Sequence, residues 1–223
     1  TTSNAIRLNL NGIKKISKER ILIELYKILD LKNFITLNES TDLKEIFTLI
    51  FPEFKNLKRL ERLIKICNNS QVSKSLLLSV LLIDDEDSHE YFSHKYNISN
   101  NIRDEMNSFA RNLKLITENK KFLNEDLEKN VYLHGKNYLI NLNILNFAIN
   151  TKIKSKDFFD NLDKILKSKI HKFSIDGKYL IKNGMQEGPL MGKAIKKIED
   201  EWIKNRFTIK KDRINEIIRS YSN

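Results

Sequence analysis

Apolar residues recur every three or four positions along almost the whole chain, and little breaks the rhythm. Ile21, Leu25, Ile28 and Leu29 form one such stripe. Leu57, Leu60, Ile64 and Cys67 form a second, and Phe158, Phe159, Leu162, Ile165, Leu166 and Ile170 a third. That spacing puts side chains on one face of a helix. No stretch combines sustained period-two alternation with hairpin-turn residues, so no strand is expected. The 223 residues include only 6 glycines and 2 prolines. This is too few for a loop-rich β fold, and it excludes the glycine-rich phosphate turns of P-loop and dinucleotide folds. Hydrophobic residues make up 40% of the chain, enough for a packed core. The predicted fold is therefore all-α: an irregular array of ten or more helices with no β-sheet.

Punctuation along the chain refines this. Ser17, Ser40, Ser99, Asn124, Ser155, Asp176 and Thr208 each stand where a side-chain oxygen can cap free backbone N–H groups. Pro52 interrupts one helical run, Gly135 suits a left-handed position between two others, and Pro189 suits a first helical turn. The expected helices lie near 4–14, 18–30, 41–50, 55–67, 71–83, 87–96, 100–116, 125–150 (broken at Gly135), 156–170, 177–183, 189–204 and 210–221. No Gly/Ser/Pro-rich linker divides the chain, so any subdomains share helices or pack directly.

The inventory of reactive groups is thin. A single cysteine, Cys67, excludes a disulfide framework and a cysteine-rich zinc site, and its place on an apolar stripe reads as a buried core thiol. His89, His94, His134 and His171 show no metal-ligand spacing and read as surface or core histidines. The run Asp84-Asp85-Glu86-Asp87 precedes a helix, where negative charge complements the helix dipole; it is read as structural rather than as a magnesium site. No catalytic residue and no metal ligand is assigned. No apolar run reaches the roughly 20 residues that cross a bilayer, and no secretory signal is recognised, so a cytoplasmic bacterial protein is expected.

Charge is the positive signal. Forty Lys and Arg face 29 Asp and Glu, a formal +11. Such an excess fits a polyanionic partner, most simply nucleic acid, but lysine-rich usage in an AT-rich genome produces the same number. Distribution is more informative. From Lys152 to Lys182 nine lysines face four aspartates. Lys178 and Lys182 lie in this stretch, and Lys193, Lys196, Lys197, Lys204, Arg206, Lys210 and Lys211 follow. Lys193, Lys196, Lys197 and Lys204 share one helical face, a stripe that either tracks phosphates or solvates a helix. Between the two groups, Gly184 to Lys193 holds half of the glycines. Gly188-Pro189 opens a helix whose free N–H groups, with Lys193 one turn in, can receive a phosphate. Alternatively, Gly188 turns the chain and Gly192 lets two helices approach closely.

Three segments in order carry a likeness to a known family. Ile16-Ser17-Lys18-Glu19-Arg20-Ile21, with Glu24-Leu25, comes first. Tyr132-Leu133-His134-Gly135 follows. The third runs Gly177-Lys178-Tyr179-Leu180-Ile181, Gly184, Gly188-Pro189-Leu190-Met191-Gly192, Ile198-Glu199-Asp200-Glu201-Trp202 and Phe207. The set resembles bacterial class II tRNA nucleotidyltransferases and poly(A) polymerases, the CCA-adding enzyme family, in their α-proteobacterial branch. The likeness spans essentially the whole chain. It lacks the family's catalytic head, with its G-S loop, D-x-D carboxylates and R-R-D segment, and the nucleotide-reading E-D-x-x-R element.

The resemblance implies a neck–body–tail arrangement: residues 1–36 as the end of the neck, 37–133 as a helical body and 134–223 as a helical tail. It implies that Ser17, Glu19, Arg20 and Glu24 support the neck, with Glu19 and Arg20 in an ion-pair network. Body and tail would hold the acceptor and TΨC arm of tRNA through its phosphates, and also possible RNA-processing protein partners. The RNA-facing set would be Lys178, Lys182, Gly188, Gly192, Lys193, Lys196, Lys197, Lys204, Arg206, Lys210 and Lys211. These residues alone would bind no cofactor and add no nucleotide. A head in cis would supply two Mg²⁺ ions and use CTP and ATP. The same residues suit a poly(A) polymerase, or a helical protein-interaction domain whose lysines only solubilise.

Overall fold

The structure, a computed structural model, describes residues 2–13, 15–67, 72–119 and 121–221. Among them it holds fifteen helices and no strand. In chain order these are α1 Thr2–Leu8, α2 Leu10–Ile13, α3 Lys18–Ile28, α4 Leu31–Glu39, α5 Thr41–Ile50, α6 Arg59–Ile66, α7 Lys74–Leu82 and α8 Ser88–Lys95. They continue with α9 Asn100–Glu118, α10 Leu127–His134, α11 Lys136–Ile149, α12 Ser155–Lys167, α13 Gly177–Lys182, α14 Leu190–Lys204 and α15 Lys211–Ser220. None is long and apolar enough to cross a membrane.

Capping explains many of the boundaries. Ser17, Ser40 and Asp176 accept hydrogen bonds from the amides of Arg20, Leu43 and Tyr179, each closing a helix start as expected. Ser99 occupies the cap position of α9 without a side-chain bond. The other three proposed caps differ. Asp126 replaces Asn124, whose side chain instead accepts from Lys164. Lys154 precedes α12, and Asp157 reaches back to its amide. Thr208 bonds to Asn205 while Lys210 precedes α15. Two caps escaped the pattern: Asp30, which starts the unforeseen α4, and Ser73, which starts α7. Asn33, Ile35 and Thr36 are weak helix formers, so α4 owes its existence to Asp30 and to packing against α5 and α6. The expected run 4–14 divides near Asn9, whose side chain bonds back to the carbonyl of Ala5.

Most of the chain closes around one core, from Leu22 on α3 to Ile165 on α12. α7 is at its centre and is buried on all sides, Ser75 to Leu82, as a helix apolar all round must be. Phe47, Phe51, Phe54, Phe92 and Tyr96 fill one end with ring centroids 4.6–6.0 Å apart. This core runs across the divisions at 36/37 and 133/134. Leu29 and Phe47 share it, and so do Val131 and Leu139 on either side of Gly135. Gly135 takes φ 82° and ψ 154°, a region open to glycine, and ends α10 while starting α11. A second, smaller core joins Leu180, Met185, Ala194, Ile198, Ile214, Ile217 and Ile218. The hydrophobic cores therefore part between Ile165 and Leu180.

Two arginines tie helix ends into the main core. Arg59 donates to the carbonyls of Val80 and Ile83 at the end of α7. Arg62 donates to those of Phe147, Asn150 and Ile153, and lies 4.2 Å over the Phe147 ring.

Cys67 is buried at the end of α6, and desolvation pushes its thiol up to about 11. Only the thiolate reacts quickly with alkylating reagents. At pH 8 Cys67 is therefore expected to be labelled only at the rate of opening, and rapid labelling of the native protein would contradict its burial. The unfolded thiol ionises from about pH 9, and the folded one holds its proton to about 11. The unfolded state thus binds fewer protons in that window, and stability falls as pH rises through it.

Candidate nucleic-acid interface

The smaller core organises α13, α14 and α15. On α14, Ala194 and Ile198 are buried, with Met191 and Ile195 packed beside them. The same periodicity leaves Lys193, Lys196, Lys197 and Lys204 exposed on the other side. Arg213 locks α15 to α14 by two bonds to the Glu201 carboxylate, at 2.8 and 2.7 Å, and a third to Glu216. These bonds hold its guanidinium more firmly protonated than usual and hold Glu201 below the usual carboxylate range.

All eleven residues expected to face RNA lie in exposed positions, but the structure sorts them. Lys204, Arg206 and Lys210 come together around the α14–α15 turn. With Thr208, Ile209 and Arg213 they line a groove of about 780 Å³. Among the described residues none of these three takes part in an ion pair. Lys196 is paired with Asp200 at 2.9 Å and Glu199 at 3.6 Å, and Lys197 with Glu201 at 3.7 Å, so part of the expected stripe is already neutralised. Lys178, Lys182, Lys193 and Lys211 are exposed elsewhere on the unit and do not line the groove.

The glycines are informative by contrast. Gly184 has φ +94° and sits at the C′ position of α13. Its amide bonds to Ile181, and that of Met185 to Leu180, the paired bonds of a Schellman motif. Gly188 and Gly192 have no such conformation, and a Cβ on either meets nothing within 4 Å. The close-approach explanation of Gly192 is therefore corrected, because no second helix abuts it.

α14 ends in the same Schellman motif with no glycine. The Arg206 amide bonds to Ile203 and the Phe207 amide to Trp202. Arg206 then takes φ 52° and Phe207 φ 60°. A left-handed non-glycine residue is disfavoured by about 1 kcal/mol or more. Phe207 is compensated by its surroundings, since its ring stacks on His171 with centroids 3.6 Å apart and an interplanar angle of 9°. Arg206 is exposed, and its side chain has no hydrogen bond or ion pair among the described residues.

An aromatic junction carries this unit against α10. Tyr132, His171, Trp202 and Phe207 meet edge-on or stacked, and Phe173 is tilted against Trp202. Tyr132 donates to Glu199, and His171 meets Glu128 at 2.6 Å. Burial first, then Glu199, pushes the Tyr132 hydroxyl up to about 12. Sequence reasoning did not foresee the junction. Its available signal is a short alternation in the irregular stretch 169–176, where His171, Phe173 and Ile175 are sheltered and Lys172, Ser174 and Asp176 exposed.

The neck residues stand apart from this site. Ser17 caps α3, and Glu24 pairs with Lys27 at 2.7 Å. Among the described residues Glu19 and Arg20 form no ion pair, which corrects the expected network. Glu19 stands in the first turn of α3, where its own backbone amide, Asn97 and Ser17 hold its carboxyl below the usual range. Arg20 lines an apolar groove with Ile16, Ile21 and Ile28.

Among the described residues no group of three or more carboxylate, imidazole or thiol side chains is arranged to hold a metal ion. In the acidic run, desolvation of Asp84 is outweighed by bonds from Ser88 and Glu86, and Glu86 pairs with Lys55. No protein-family model and no curated protein matches this chain.

Proposed function

We propose that this chain is a non-catalytic RNA-binding module that grips the phosphate backbone of a structured RNA through its C-terminal helices. The observation that carries the reading is Arg206. It occupies a left-handed position that Gly184 fills in the equivalent motif, and it adds an unpaired cation between Lys204 and Lys210. Strained backbone positions cluster at functional sites; here the conformation closes the end of α14, and the exposed side chain it carries has no partner among the described residues. Phosphate contacts need only charge and position, and A-form RNA offers little else to side chains. The resemblance to CCA-adding enzymes supplies the RNA class: the acceptor and TΨC arm of tRNA, held for a catalytic head using Mg²⁺, CTP and ATP, or a poly(A) polymerase's substrate in the same position.

The test is tRNA binding by fluorescence anisotropy. Three phosphate contacts predict an affinity about 40-fold weaker at 200 mM than at 50 mM salt. Incubation with CTP, ATP and Mg²⁺ is expected to add no nucleotide, and incorporation would overturn the reading. Arg206→Gly separates function from folding. It is expected to stabilise the protein by about 0.5–1 kcal/mol while weakening tRNA binding several-fold. A stabilised variant with unchanged affinity would remove Arg206 from the site.

A second reading, a protein-docking module, rests on two apolar grooves of about 380 and 300 Å³ at α3–α5. They share Ile28, Ile50 and Phe51. It replaces the first if tRNA fails to bind at low salt while a protein partner is retained by the wild type and lost with Ile28→Asp.

A further inference from the structure

The two apolar grooves beside α3 share Ile28, Ile50 and Phe51, so they run into one another as a single surface. Leu43 and Ile46 of α5 lie along one part of it, and Ile13 and Ile16, which precede α3, along the other. Ile16 is 41% exposed and Ile28 43%, and Ile23 beside them on α3 is 55% exposed. A contiguous apolar patch of this kind marks an interaction surface. Two charged side chains line it, Arg20 and Glu24, one helical turn apart and between Ile16 and Ile28. Arg20 has no ion pair among the described residues. Glu24 has only its pair with Lys27, in which both side chains are more than half exposed, and a pair of that kind contributes little.

The order of these residues is palindromic about Leu22, which α3 buries on its opposite side. Arg20 and Glu24 stand two residues either side of it, Ile21 and Ile23 one, and Ile16 and Ile28 six. When two copies of one helix lie antiparallel about a two-fold axis, residues equidistant from the centre come to the same level. Arg20 then meets Glu24 of the other copy, Glu24 meets Arg20, and Ile16 lies beside Ile28 at both ends. A two-fold interface must be self-complementary in this way, since one patch serves both partners. A parallel pairing would set Arg20 on Arg20 and Glu24 on Glu24, and a different partner would require no such symmetry in this chain. We propose that a second copy of this chain covers the surface, in a two-fold dimer with the α3 helices antiparallel. The exposed isoleucines of each copy lie over the groove of the other, and two Arg20–Glu24 pairs close the centre. The inference rests on reading the α3–α5 grooves as a protein-docking surface and gives that surface an occupant. It is independent of the cationic groove, which shares none of these residues.

Sedimentation velocity of the full chain without RNA tests it. At about 100 μM, above the micromolar dissociation constants at the weak end of standard interfaces, the wild type is expected at twice its 26.3 kDa. Arg20→Glu alone and Glu24→Arg alone each set like charges together twice in the dimer, and each is expected to weaken it about 100-fold. Combining the two substitutions exchanges the signs but keeps the complementarity, so the dimer is expected to return. Mixing the two single variants is expected to give a mixed dimer, because one helix then carries two negative charges and the other two positive. Both positions are exposed, so circular dichroism is expected to show every variant folded. A monomeric wild type overturns the proposal and leaves the grooves to a different protein. Single variants that stay dimeric, a monomeric double variant, or a mixture that stays monomeric also overturn it. Binding of tRNA, measured separately, bears only on the phosphate reading.

Discussion

Reversing three charges, Lys204→Glu, Arg206→Glu and Lys210→Glu, is expected to reduce tRNA affinity by about 100-fold or more. The slope of log K against log salt should become shallower by about 3, one for each phosphate contact removed. The three side chains line one groove, are exposed and have no ion pair among the described residues, so their removal exposes no buried partner. Stability is therefore expected to change little, because surface substitutions of this kind fall within about 0.5 kcal/mol. A matched triple at Lys178, Lys182 and Lys211, away from the groove, carries the same change in net charge. If it lowers affinity as much, the chain binds RNA by general attraction and the groove has no special part. Titrations at several salt concentrations, with thermal melts of each variant, separate these outcomes.

The largest expected effect on stability lies far from that groove. Arg62→Ala is expected to destabilise the protein by about 3 kcal/mol, lowering its melting temperature by about 6–12 °C. One guanidinium on α6 satisfies the carbonyls of Phe147, Asn150 and Ile153 at 2.8, 3.1 and 2.7 Å and covers the Phe147 ring. Truncation strips partly buried carbonyls at the end of α11 of their donor and removes a cation–π contact. Lysine keeps the charge but not the planar fork, so Arg62→Lys is expected to lose roughly half as much. Urea unfolding gives both values, and a loss below about 1 kcal/mol for alanine would show that water takes over the carbonyls. RNA affinity of the folded variant should be unchanged, which keeps this effect distinct from the first.

Arg62 also shows where sequence reading stops. Its three partners lie 85 to 91 residues away, so no local pattern announces them. The same holds for the junction: Tyr132, His171 and the pair Trp202 and Phe207 come from three separate stretches of chain. By contrast, the burial of Leu25, Leu29, Leu60 and Cys67 was legible in the first two apolar stripes, because a helix that buries one residue buries the next at three or four. The third apolar stripe was legible only in part. Phe158 and Ile165 are buried, whereas Phe159, Leu166 and Ile170 are 51%, 55% and 68% exposed. Periodicity identifies a helix face but not how much of it the neighbours cover.

The lysine stripe divides in a similar way. Helical spacing correctly set Lys193, Lys196, Lys197 and Lys204 outside the core. The same spacing places Asp200 and Glu201 one turn beyond Lys196 and Lys197, so those pairs were open to a sequence reading that weighed only the cations; it could not show that Lys204 joins Arg206 and Lys210 across a turn. Nor could it show Arg206 in a left-handed conformation, since arginine gives no sign of a position that glycine usually fills.

By itself, then, the sequence determined the helical class and the side of each helix that carries charge. Those follow from a 3.6-residue period and from capping groups within a few positions of each other. Only the tertiary structure decided which cations are free, where the two cores part and which side chains meet in a groove or cleft. Those depend on contacts between residues distant in the chain, whose geometry is set by packing.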